Sequence, residues 1–186
     1  MNHINVIFLG IVMTLFGCSK PTYLPKQLVA EEKTSSLQAE TISSKQSQID
    51  QTLKLFLSAL EKYEKDDFIP KLDSIYAEDA FLNDRIHTVK GLENIKAYFT
   101  ATFDKIVDCE FIFHDKLIGQ TSIVVTWTMR IQTKKDQPYM EFLGSSQLRF
   151  NKEGKIFYHQ DYWDFSELLS EIRGASFIIN YAKNKA

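Results

Sequence analysis

From Cys109 to His114 the chain reads Cys-Glu-Phe-Ile-Phe-His, and from Ile123 to Ile131 it reads Ile-Val-Val-Thr-Trp-Thr-Met-Arg-Ile. Large apolar side chains recur at every second position: Cys109, Phe111 and Phe113 in the first stretch, Ile123, Val125, Trp127, Met129 and Ile131 in the second. A period of two lays one face of an extended strand against a core, and aromatic and β-branched residues suit that face. Lys134 to Pro138 is a turn leading to a third run, Tyr139 to Phe150, and Asn151-Lys152-Glu153-Gly154 is a hairpin signal before Lys155 to Trp163. Long runs joined by short turns predict an antiparallel meander.

Upstream the period changes. Ile49, Leu53, Phe56, Leu57, Leu60 and Tyr63 recur at three- and four-residue intervals, which is one face of a helix. A shorter amphipathic piece follows from Asp66 to Tyr76, with Pro70 placed in its first turn, where proline is tolerated. Ala77 to Asp84 reads as a short strand. Gly91 then precedes a third helix with Leu92, Ile95, Tyr98, Phe99, Phe103 and Ile106 on its apolar face. Ser166 to Tyr181 reads as a last helix, weakened at Gly174. Helices segregated ahead of a mainly antiparallel sheet define the α+β class.

This order resembles the NTF2-like superfamily, which includes SnoaL-like cyclases and ketosteroid isomerases. Tyr76-Ala77-Glu78-Asp79-Ala80, the strand to Asp84, and Gly91 with Ile95 and Phe99 look like the Y-x-x-D-A, strand, G-x-x-x-I-x-x-F pattern of that superfamily. The ending His159-Gln160-Asp161-Tyr162-Trp163-Asp164 looks like the last-strand signature of SnoaL-like proteins. The resemblance spans about Gln48 to Glu171. It implies a cone: three N-terminal helices on a curved sheet around an apolar pocket, with a C-terminal helix added and a sheet face that pairs two subunits. The fold hosts enzymes and non-enzymes alike, so it does not by itself imply a reaction.

The resemblance places Asp84 where ketosteroid isomerases hold their catalytic carboxylate, which abstracts a proton beside a carbonyl when apolar walls tune it. Phe56 falls where those isomerases place a tyrosine, and phenylalanine cannot donate the hydrogen bond that stabilises an enolate, so ketosteroid isomerisation is not expected. The bland reading of Asp84 is a solvated loop aspartate beside Arg85. His159, Asp161 and Trp163 lie two apart on one strand and share a face. If that face is concave, they add an imidazole, a carboxylate and an aromatic wall to a pocket shared with Phe56 and Trp127. Otherwise Asp161 pairs with Arg130 or Arg149 on neighbouring strands. Two functions follow as expectations. One is a binding module for a small apolar or amphipathic ligand, or for a protein partner. The other is a SnoaL-like enzyme performing proton transfer or hydration, with Asp84 as base and His159 or Asp161 assisting.

No His-x-x-x-His or Cys-x-x-Cys spacing, glycine-rich phosphate loop or nucleophile elbow occurs, so neither a metal nor a cofactor is expected. Cys109, among alternating aromatics, reads as a buried small hydrophobe.

The N-terminus is of a different kind. Ile4 to Gly17 is uncharged and apolar but short of a bilayer span, and small residues follow it, as in a signal peptide. Leu15-Phe16-Gly17-Cys18 resembles the lipobox of bacterial lipoproteins. That likeness implies cleavage before Cys18, acylation of Cys18, and a lipid-anchored protein of the cell envelope; Ser19 after the cysteine implies the outer membrane, facing the periplasm. A plain secretory signal or a short N-terminal anchor helix is the alternative. The expected plan is signal 1–17, flexible tether 18–44, domain 45–165 and helical extension 166–186.

The 186 residues are 44% apolar and 13% aromatic, with 7 Gly, 4 Pro and 2 Cys. That composition excludes collagenous, low-complexity and disulfide-framework chains. A net charge of −2 and pI near 6.1 offer no basic field, so nucleic acid is not an expected partner.

Overall fold

The computed structural model describes residues 31–32, 42–166 and 168. The chain divides into units 1–37 and 38–186, and the second holds all that follows. The apolar run before Cys18, Cys18 itself and the helix expected from Ser166 onward lie outside the described residues, apart from Ser166 and Leu168.

The elements bounded within the described residues include the helices α1 (Gln46–Lys62), α2 (Lys65–Ile75) and α3 (Leu92–Phe103) and the strands β1 (Tyr76–Asn83), β2 (Thr88–Lys90), β3 (Asp108–Ile118), β4 (Ile123–Gln132), β5 (Met140–Phe150) and β6 (Ile156–Trp163). The sheet runs β2-β1-β6-β5-β4-β3. As expected from the period of two, β3 to β6 form an antiparallel meander. The meander is not the whole sheet: β1 joins β6 in parallel, and β2, unread in the sequence, pairs with β1. Register shifts interrupt the β1–β6, β3–β4 and β5–β6 pairings. Such irregularities bend strands and let the sheet wrap the helices.

The apolar stripe of α1 is buried as its spacing requires: Ile49, Leu53, Phe56 and Leu60 are each at most 6% exposed. Ile42, in a 3-10 turn just ahead of α1, joins the same core. Pro70 corrects the helix-start reading, because α2 begins at Lys65 and leaves the proline inside it, past the first turn. Its missing N–H forgoes one helical bond, while Phe68, Leu72 and Ile75 still anchor α2 in the core. α3 ends at Phe103, before Ile106, which packs against the core from the following loop.

Two glycines are fixed by close approach. A Cβ on Gly144 would stand 2.3 Å from Cη2 of Trp127, and one on Gly154, whose φ is +77°, would stand 2.6 Å from Cβ of Gln48. Gly144 faces Trp127 on one side and Trp163 on the other in the β4–β5–β6 register, so the missing side chain makes room for two indoles. Leu143, Ile112 and Tyr162 are exposed.

Candidate functional site

Strand alternation brings one face of the sheet against the helices, and between them lies a cavity of about 260 Å³. All six residues singled out in the sequence, Phe56, Asp84, Trp127, His159, Asp161 and Trp163, line it. Most of the remaining wall is apolar, including Leu60, Leu82, Phe99, Phe111, Met129 and Phe142. The two carboxylates are its only charged side chains among the described residues, because no Lys or Arg reaches the lining.

Asp161 sits at the centre of a buried polar chain. His159 Nε2 lies 2.8 Å from Asp161 Oδ1, and the Ser146 hydroxyl donates to the same oxygen at 2.6 Å. Trp127 Nε1–H donates to Ser146 Oγ at 2.9 Å, and the Tyr76 hydroxyl lies 2.6 Å from His159 Nδ1. Tyr76 is fully buried, and burial, reinforced by the charge of Asp161, pushes its hydroxyl well above the usual tyrosine range. Tyr76 therefore stays protonated, and the His159 ring spans from its hydroxyl to Asp161. Ser146 and His159 both meet one carboxylate oxygen of Asp161. Its other oxygen, Oδ2, has no hydrogen-bond partner among the described residues, although the side chain is only 18% exposed. The expected alternative of pairing with Arg130 or Arg149 is overturned. Arg130 binds Glu110 and Glu141, and Arg149 lies over the ring of Tyr158.

Asp84 is arranged differently. Its Oδ1 accepts the backbone N–H groups of Ile86 at 2.8 Å and His87 at 2.5 Å. Its Oδ2 accepts the Tyr98 hydroxyl and lies 3.2 Å from His87 Nδ1. These bonds close a tight turn in which Arg85 takes φ +79°, and the Asp84 side chain is only 15% exposed, so the solvated-loop reading does not hold. Burial, then the nearby Asp84 charge, raises the Tyr98 hydroxyl far above its ordinary value. Trp163 Nε1–H reaches the Asp84 carbonyl at 2.8 Å, tying the turn to β6.

Phe56 meets the His159 ring edge-on at 5.4 Å and forms a wall for the imidazole. Tyr63, at the α1 terminus with φ 40°, also lines the cavity and stacks on Phe103 at 4.4 Å. Cys109 is buried on the lining, and burial, followed by Asp108 and Glu110, pushes its thiol up to about 12. It is a wall, not a nucleophile, at neutral pH. Sequence reasoning missed Tyr76, Tyr98 and Ser146. In the sequence Tyr98 shows only as part of an apolar helix face. Ser146 could have been found from its register, since it stands opposite Asp161 and two residues from Gly144. Among the described residues, no three His, Cys, Asp or Glu side chains could together hold a metal ion.

The SnoaL-like domain family matches residues 56–159, more than half of the chain. Among solved structures, an LEH-like epoxide hydrolase from M. tuberculosis aligns with TM-score 0.53 at 16% identity, covering 72% of this chain and 96% of its own. An NTF2-like protein of unknown function from Burkholderia pseudomallei K96243 aligns with TM-score 0.57 at 16% identity, covering 66% and 95%. A hypothetical protein with a ketosteroid isomerase-like fold from Catenulispora acidiphila DSM 44928, in complex with trimethylamine, aligns with TM-score 0.55 at 16% identity, covering 64% and 90%. At these identities the likeness is one of fold. No curated protein matches the chain.

Proposed function

We propose, from the premise that this chain belongs to the SnoaL-like domain family, that its cavity binds a small amphipathic molecule, with the apolar body among the aromatic walls and a polar group at Asp161. The observation that carries this reading is the pairing of an apolar chamber of about 260 Å³ with one carboxylate oxygen that lacks a partner among the described residues. A mostly apolar pocket with few convergent polar groups is the usual form of a small-molecule site. Trp127 and Trp163 report on occupancy. Titration with 2-phenylethanol is expected to quench their fluorescence saturably, and the response should vanish in a Leu60→Trp variant that fills the chamber. A non-saturable response, or one unchanged by the filling substitution, defeats the reading.

A second reading, acid/base catalysis, is favoured by that same free oxygen. Asp84 has donors on both oxygens and must release one to take up a proton, so the base assigned at first to Asp84 moves to Asp161, with His159 behind it. An epoxide of styrene size, the substrate class suggested by the hydrolase of the same fold, tests it. Hydration should be lost in Asp161→Asn and retained in Asp84→Asn.

The proposal extends to the N-terminus. Acylation of Cys18 and a tether to about residue 44 would hold the domain at the outer membrane on the periplasmic side. The lipobox-like Leu15-Phe16-Gly17-Cys18 supports this. A Cys18→Ser variant should leave the membrane fraction; unchanged fractionation and processing would refute the tether. A second copy would pack on the sheet face that exposes Leu143 and Tyr162, and Leu143→Glu should then yield a monomer by ultracentrifugation.

A further inference from the structure

We infer, on the ligand-binding reading just given, that the cavity selects a cationic amphipath, a molecule with a compact apolar body and an ammonium group seated against Asp161 Oδ2. Donors and acceptors along the wall support this. The nitrogen donors are already committed within the protein: Trp127 Nε1 to Ser146, Trp163 Nε1 to the Asp84 carbonyl, and the His159 ring to Tyr76 and Asp161. The hydroxyls of Ser146, Tyr98 and Thr102 donate to Asp161, Asp84 and the Tyr98 carbonyl. The hydroxyls of Tyr63 and Thr133 also line the cavity, but the acceptor left over is a charged one, Asp161 Oδ2. A ligand that meets this oxygen must bring the proton.

Charge then separates the ligands that can donate. Both charged side chains on the described lining are carboxylates, and no Lys or Arg stands with them. An incoming anion would meet two carboxylates with no Lys or Arg beside them, whereas a cation offsets a carboxylate in a place water reaches poorly. The walls agree. In register, Trp127, Gly144 and Trp163 form one row across β4, β5 and β6, and Ser146 and Asp161 lie on the next same-face row. The carboxylate thus stands beside two indoles, whose faces attract an ammonium or its methyl groups.

Three probes with one phenyl body decide the matter: 2-phenylethylammonium, 2-phenylethanol and 3-phenylpropionate, each titrated by tryptophan fluorescence at pH 7 and checked by calorimetry. The ammonium should bind about tenfold or more tighter than the alcohol, and the anion more weakly than both. In Asp161→Asn the ammonium's advantage over the alcohol should fall to about twofold or less. Equal binding of alcohol and ammonium overturns the charge assignment and leaves the ligand-binding reading intact. Tighter binding of the anion does the same. Absence of saturable binding by all three defeats both. Should Asp161→Asn fail to fold, the ordering of the three probes on the unaltered protein decides alone.

Discussion

Two aspartates face one cavity and are used in opposite ways. Asp84, at the end of β1, spends both oxygens on its own neighbourhood: two backbone N–H groups, the Tyr98 hydroxyl and the His87 ring. Asp161, inside β6, gathers Ser146 and His159 on a single oxygen and leaves the other without a partner among the described residues. Residue type and location alone would rank them equally, and likeness to isomerases would favour Asp84. Hydrogen-bond accounting reverses that order. One carboxylate closes a loop, and the other keeps an oxygen uncommitted among the described residues.

The strongest way to stress this comparison is alkali. Tyr98 beside Asp84 and Tyr76 in the Asp161 chain both ionise well above their ordinary value of 10, chiefly because they are buried. Above pH 10 the unfolded chain sheds these protons while the folded chain keeps them, so stability must fall as pH rises. The loss is up to about 1.4 kcal/mol per pH unit for each tyrosine. Urea unfolding from pH 8 to 11 should show this fall, and Tyr98→Phe or Tyr76→Phe should each flatten it. A slope unchanged by either substitution would mean that the carboxylate neighbourhoods open before the protein unfolds.

Gly144→Ala comes next. Its Cβ would overlap the Trp127 ring, so an overpacking cost of about 3 kcal/mol and loss of probe binding are expected from calorimetric Tm and fluorescence. Damage should concentrate on the Asp161 side. Asp84→Ala frees two turn N–H groups and leaves Tyr98 without its acceptor, which should cost about 2 kcal/mol in urea unfolding. Asp161→Asn keeps an acceptor for Ser146 and His159 and should cost about 1 kcal/mol or less in the same measurement. If the two aspartate substitutions prove equally costly, the division between loop closure and ligand contact fails. Smallest, Arg85→Gly relieves the left-handed backbone at φ +79° and should raise stability by about 0.5 kcal/mol.

Much of this was legible in the sequence. The period of two from Cys109 to Ile131 and from Lys155 to Trp163 put the right side chains on one face, which is why Trp127, His159, Asp161 and Trp163 meet. The partners of that face were harder to see. Nothing local announces that β1 lies parallel to β6, because the pairing joins residues far apart in the chain. β2 has three residues, too few for a period. The Asp84 turn depends on backbone donors, which carry no residue signature, and Tyr76 and Tyr98 show only their apolar aspect until the fold sets their hydroxyls against His159 and Asp84.

The parallel β1–β6 pair also sets a schedule. Tyr76 and His159 are 83 residues apart, so their contact waits for a long loop to close. On the ribosome the helices and β1 emerge well before β6, and until it arrives both β1 and β5 present an unpaired edge. The strand that seals those edges is the one that delivers His159 and Asp161. Nascent chains without β6 are therefore sticky and lack His159, Asp161 and Trp163 on the cavity wall, so the cavity is complete only once the sheet is.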